Sequence, residues 1–182
     1  EALEYKNKGY KAWKFRPSTP VGLDHFQRNN EPPLLDLNAI KWTIENVSKH
    51  CGDNFEILFD LGCRCKNMNE AIDLCNFSLD YNVGFIEEPL PRKLKLYSEL
   101  VSKSNINIST GETFFSSEQF EFWSKNHAID IFQPDLNLVG FREGIKILDI
   151  AKKYNKQIVF HNWANAVSNI ANISLALALP EL

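Results

Sequence analysis

Methionine is nearly missing from this chain: Met68 is the only one in 182 residues, and position 1 is a glutamate. The other end, Leu177-Ala178-Leu179-Pro180-Glu181-Leu182, stops just after a helical pattern, where another strand is expected. Both ends therefore read as cuts in a longer protein. No apolar run approaches the roughly 20 residues of a membrane span, and no charged-then-apolar leader opens the chain, so a membrane partner is not expected. No basic stripe is interleaved with aromatics, and the net charge is only −3, which argues against nucleic acid. The four cysteines carry no firm motif. Cys63-Arg64-Cys65 could suggest a metal or redox pair, but no second Cys/His pair stands nearby. With Cys51 and Cys75 they read as reduced thiols of a cytoplasmic protein. What the chain does have is 44% hydrophobic and 12% aromatic residues, enough for one substantial core.

That core is laid out in a repeat of architecture. Gly84-Phe85-Ile86 runs into Glu87-Glu88-Pro89, where proline ends a buried strand and releases the chain into a loop. Upstream, Phe55 to Phe59 runs into Asp60. Downstream, Ile106 to Gly111 runs into Glu112, Ile129 to Pro134 into Asp135, and Ile158 to Phe160 into His161. The intervals between these polar residues are 27, 25, 23 and 26. A strand of about five residues, two loops and a helix of ten to twelve fill such an interval. The chain is expected to be α/β, a repeated βα unit with a polar residue at each strand's C-terminal end. That is where barrel enzymes carry their chemistry.

The remaining elements follow in order. Glu1 to Lys8 reads as the end of a helix capped by Gly9. Tyr10 to Arg16 alternates as a strand does, with Lys14 and Arg16 on one face. Residues 17 to about 35 hold four of the eight prolines and read as a long loop containing His25 and Arg28. Helical stripes are expected at Ile40/Ile44/Val47, at Ile72/Cys75/Leu79, and at Tyr97/Leu100/Val101. Two more are expected at Ile147/Ile150/Ala151/Tyr154 and at Ile170/Ile173/Leu177. Ser116 to Gln119 carries a capping-box signature.

If the strands are neighbours in sequence order, Asp60, Glu87 and Glu112 converge, and three carboxylates cannot crowd together without a cation. Hard oxygen ligands favour Mg²⁺. Lys14 and Arg16 would flank it on one side, Asp135 and His161 on the other, with the aspartate orienting the ring. Such a set suits removal of a proton from carbon beside a carboxylate.

These residues resemble the enolase superfamily, and within it the mandelate racemase-like group of acid-sugar dehydratases and racemases. The resemblance is carried by Gly9-Tyr10-Lys11-Ala12-Trp13-Lys14-Phe15-Arg16, Phe85-Ile86-Glu87-Glu88-Pro89, Thr110-Gly111-Glu112, and Gln133-Pro134-Asp135 with Gly140, leading on to His161. It implies one partial domain over residues 1–182, a TIM-type (β/α)₇β barrel with about six βα units present and the capping domain absent. It also implies that Asp60, Glu87 (in preference to Glu88) and Glu112 are metal ligands for Mg²⁺. Lys14 and Arg16 match the family's K-x-K pair, and Asp135 and His161 its catalytic dyad.

Three departures stand out. Arg16 replaces the second lysine, and a guanidinium holds its proton too tightly to act as a base near neutrality. Gly62 replaces a frequent asparagine, and the acid of the family's last strand has no match, Glu181 lying too soon after Pro180. The leading expectation is a dehydratase of a small acid sugar, homo-oligomeric when full length. A racemase or epimerase of a 2-hydroxy acid on the same scaffold is the second reading, and a catalytically silent barrel fragment the third.

Overall fold

The structure, a computed structural model, describes residues 1–17, 35–163 and 165–178. His25, Arg28 and Glu181 lie outside the described residues. The chain divides into two compact units, Glu1–Ile108 and Ser109–Leu182.

The first unit holds α1 (Ala2–Asn7), β1 (Ala12–Phe15), α2 (Leu37–Cys51), β2 (Glu56–Asp60), α3 (Met68–Ser78), β3 (Val83–Glu87) and α4 (Leu94–Lys103). Its strands pair in parallel in sequence order, with Lys14 opposite Leu58 and Asp60 opposite Glu87. A register shift between Ile57 and Leu58 brings the last two side by side. Asp36 caps α2 by accepting the Ala39 N–H at 3.1 Å, and Ile40, Ile44 and Val47 are buried as their spacing predicts. Each such side chain contributes roughly 1.5–3 kcal/mol through burial.

In α3 the expected stripe is corrected. The buried face is Ala71, Leu74, Cys75 and Ser78, while Ile72 is half-buried and Leu79 exposed. Leu79 is the C-cap residue, so it lies past the last turn that packs inward. Cys75 does behave as a small buried hydrophobe, and burial raises its thiol pKa. Burial likewise pushes the Cys65 thiol up to about 12, which leaves it a structural residue.

The second unit begins within β4 (Asn107–Thr110) and continues through α5 (Ser117–Lys125), β5 (Ile131–Phe132), α6 (Leu136–Lys153), β6 (Gln157–Ile158) and α7 (Ala166–Leu177). Here too the strands run parallel in order, Ser109 opposite Ile131 and Phe132 opposite Ile158. Phe132 packs against Phe120 of α5 with ring centroids 5.0 Å apart, and Phe120 in turn meets Phe114 at 5.0 Å.

Two expectations fail in this unit. Ser116 is the N-cap of α5 but makes no side-chain cap bond. Gln119 Oε1 instead accepts from Phe115 N–H at 2.7 Å, one residue before the position the capping box requires. The free N–H of Ser117 is met by Glu143 of α6 at 2.9 Å, a tertiary cap that local sequence cannot show. In α7 the apolar stripe points outward: Ile170, Ile173 and Leu177 are all exposed, and Ser168, Asn172 and Leu175 are buried. The face that meets α6 and the end of β6 is the one whose polar groups find partners there. Periodicity defines two faces of a helix without saying which has a neighbour.

Candidate active site

Each unit carries its own part of the residue set. In the first, the exits of β2 and β3 are held together beyond the strands themselves. Leu61, Cys63 and Cys65 donate their backbone N–H groups to the carbonyls of Glu87, Glu88 and Pro89 at 2.8, 2.6 and 3.0 Å. Asp60 and Glu87 therefore leave neighbouring strands on a fixed platform. Asp60 Oδ1 accepts the Gly62 N–H at 2.8 Å, and its Oδ2 lies 3.5 Å from Arg16 Nη1. Glu87 Oε2 receives Lys14 Nζ at 2.6 Å. The cations of β1 thus face the carboxylates of the next two strands.

Glu87 and Glu88 are both fully buried but differ in surroundings. Glu88 takes a positive φ of 45°. Its carboxylate is gripped by Arg92 through both Nε and Nη2, and the Cys63 thiol lies 3.6 Å away. The other oxygen of Glu87, Oε1, is buried and takes no hydrogen bond from any described residue. A buried carboxylate oxygen with no donor is costly, and a hard divalent cation is a ligand that relieves it. On that observation Asp60 and Glu87 fit Mg²⁺ as oxygen donors. Among the described residues, no group of three or more His, Cys, Asp or Glu side chains is gathered closely enough to hold an ion by itself.

The second unit holds the histidine. Its backbone N–H donates to Pro134 C=O at 3.0 Å, which sets His161 beside Asp135. The ring lies between two acids: Nδ1 is 2.8 Å from Asp135 Oδ2 and Nε2 is 3.1 Å from Glu112 Oε2. With Nδ1 engaged by Asp135, Nε2 is the nitrogen turned toward Glu112.

Several residues that the sequence did not single out fix this arrangement. Asp135 Oδ1 is taken by Asn137, through its backbone N–H at 2.8 Å and its side-chain amide at 3.1 Å. Ser168 donates to Asn137 Oδ1, and Ser168 N–H is itself capped by Asn165 at 3.2 Å. Asn172, buried, accepts the Leu136 N–H at 3.2 Å and donates to the His161 carbonyl at 3.1 Å. Glu112 is carried by the turn after β4, anchored by buried Phe114 between Phe120 and Trp123. The one advance signal is the polar set Asn165, Ser168, Asn172, whose i, i+3, i+7 spacing puts it on one helix face.

A family model described as enolase C-terminal domain-like matches residues 1–182. The chain belongs to this enolase C-terminal domain-like family. The D-xylonate dehydratase of Haloferax volcanii is 27% identical over 180 residues, 95% of this chain and 42% of that protein. The D-gluconate dehydratase of Thermoproteus tenax is 25% identical over 184 residues, covering 100% of this chain and 35% of the other. Among solved structures, the 3,6-anhydro-D-galactonate cycloisomerase of Zobellia galactanivorans matches with a TM-score of 0.81 at 25% identity, over 96% of this chain and 46% of that one. The chain thus spans less than half the length of these relatives. Its fold is that of part of the enolase-family barrel, with parallel strands alternating with helices, as the strand-end spacing predicts. Among the described residues, no helix is long and apolar enough to cross a membrane.

Proposed function

We propose that the whole protein containing this chain is a Mg²⁺-dependent dehydratase of an acid sugar. The observation that carries the reading is His161 held between Asp135 and Glu112 at consecutive strand ends, in a chain whose relatives include D-xylonate and D-gluconate dehydratases.

Asp60 and Glu87 of the first unit would hold the ion, and Glu112 is the third ligand that the family resemblance implies. When bound, Mg²⁺ supplies positive charge that favours ionisation of the carbon next to a coordinated carboxylate. The residues of the chain do the rest. Arg16 holds the substrate carboxylate with a guanidinium that stays charged. His161, oriented through Nδ1 by Asp135, takes the α-proton on Nε2. The electron pair left on the α-carbon forms the double bond as the β C–O bond breaks, and the imidazolium returns its proton so that the leaving hydroxyl departs as water. The resulting enol tautomerises to a 2-keto-3-deoxy acid. Lys14, paired with Glu87, is the alternative general acid in this reading. Two-base racemisation is disfavoured because Arg16 stands where a second base would be needed.

The test uses the full-length protein with D-gluconate and D-xylonate, following 2-keto-3-deoxy acid formation with and without Mg²⁺. His161→Asn should lower kcat by about 10²-fold or more. A Mg²⁺-dependent rise in Tm should disappear in the Asp60→Asn/Glu87→Gln/Glu112→Gln variant. Wild-type turnover in His161→Asn would overturn the role given to that ring. Deuterium wash-in at the α-carbon without loss of water would move the assignment to a racemase.

A further inference from the structure

The two departures from the family pattern in the first unit, Arg16 and Gly62, occupy one space. A β-carbon added at Gly62 would lie 2.4 Å from Arg16 Nη2 and 3.2 Å from its Cζ. No side chain and guanidinium coexist at that distance, so one must give way. The turn cannot. Leu61, Cys63 and Cys65 are tied to the carbonyls of residues 87 to 89, and Gly62 N–H is tied to Asp60. Nor can the backbone beside Arg16 retreat. Arg64 donates through Nη2 to Pro17 C=O at 2.5 Å and through Nε to Leu61 C=O at 2.9 Å, stitching the exit of β1 to the same turn. Only the free end of the Arg16 side chain is able to move.

We propose that Gly62 is a positioning residue: its missing side chain lets the Arg16 guanidinium lie in the 61–65 turn beside Asp60, where it receives the carboxylate of an acid substrate. This rests on the reading of Arg16 as the carboxylate-binding group. The local charge fits an anion. Arg16 and Arg64 stand around Asp60, and beyond the desolvation that is the larger cause, Arg16's like charge lowers the Arg64 pKa. Asp60 meets Arg16 only at 3.5 Å, and the Arg16 side chain is 60% exposed, leaving most of its five N–H donors to a ligand.

Asparagine is the informative substitution. Gly62 has φ +55°, a left-handed conformation that asparagine tolerates better than other side chains, so Gly62→Asn fills the space without forcing the turn. In the full-length Mg²⁺-loaded protein, Gly62→Asn should weaken D-gluconate binding about tenfold, as loss of a charge-assisted contact does. KM should rise more than kcat falls, and Tm should hold. Arg16→Ala should weaken binding at least as much, and Gly62→Asn should add nothing on top of it. Arg16→Lys on the Gly62→Asn background should recover part of the loss. In metal-free, ligand-free protein, the Arg16 Nε–Hε NMR resonance should shift in Gly62→Asn. Normal D-gluconate binding by Gly62→Asn, or weakened binding with an unmoved Arg16 resonance, would overturn the positioning role. Normal binding by Arg16→Ala would instead refute the carboxylate-binding reading beneath it.

Discussion

Asn172→Leu tests whether the histidine is held from behind. Asn172 is 2% exposed and sits between two backbone groups that belong to different elements. Its Oδ1 accepts the first N–H of α6, from Leu136, and its Nδ2 donates to the carbonyl of His161. Leucine fills a similar volume and supplies neither group. Each backbone partner left without its bond costs about 1–3 kcal/mol, and local relaxation recovers part of that. The expected loss is about 2–4 kcal/mol, a fall of roughly 30- to 800-fold in the folded-to-unfolded ratio. Urea unfolding reads it as a lower midpoint at unchanged slope. Asn172→Asp keeps the acceptor for Leu136 but turns an oxygen toward the His161 carbonyl, so it should destabilise while leaving the α6 cap intact. In an active full-length enzyme both variants should lower kcat, since His161 would lose the bond that sets its backbone. An unfolding free energy within about 0.5 kcal/mol of wild type for Asn172→Leu would refute the claim that these two bonds hold the dyad in place.

Two further outcomes follow from the second unit. Glu143 is held at about 2, below its ordinary 4.5, first by the bond from Lys146 and then by Ser117 N–H. Its contribution to stability is therefore complete above pH 4.5 and lost as pH falls toward about 2, so Glu143→Gln should flatten the Tm-against-pH curve in that window, and parallel curves would refute it. Gly111→Ala should destabilise by more than about 2 kcal/mol in urea unfolding. Gly111 has φ +114°, and an added β-carbon would lie 2.6 Å from Phe120 Cε1, in a ring already held by Phe114 and Phe132; a loss below about 0.5 kcal/mol would show that this ring yields.

The strand-end pattern was legible because two rules act on the same residues. Buried parallel strands need apolar runs, and Asp60, Glu87, Glu112, Asp135 and His161 interrupt such runs at intervals that fit one βα unit. Burial on α2 was legible for a similar reason, since its apolar face has a neighbour. The stripe of α7 was misread because Ile170, Ile173 and Leu177 are apolar but uncovered. The capping box on α5 was misread because Gln119 takes the Phe115 N–H instead of that of Ser116, and Glu143, 26 residues away, caps the first turn through Ser117 N–H. In both cases the deciding partner is distant in sequence.

The site divides along the same line. Residues with charge and a place at a strand end could be read directly, whereas Asn137, Asn172 and Arg64 could not, because each acts on the backbone or side chain of another element. The adjacent pair Glu87 and Glu88 shows what only three dimensions resolve. Their composition and burial are alike, yet successive residues leaving a strand point to opposite sides, and the positive φ of Glu88 completes the separation. Glu88 is thereby delivered to Arg92, which neutralises it within its own loop. Glu87 is left on the side of Lys14 with one buried oxygen lacking a hydrogen bond. Of the two acids, the one whose charge is less fully met by the protein is the one available to a ligand, and the same reasoning singles out Arg16, whose 3.5 Å approach to Asp60 leaves its donors open.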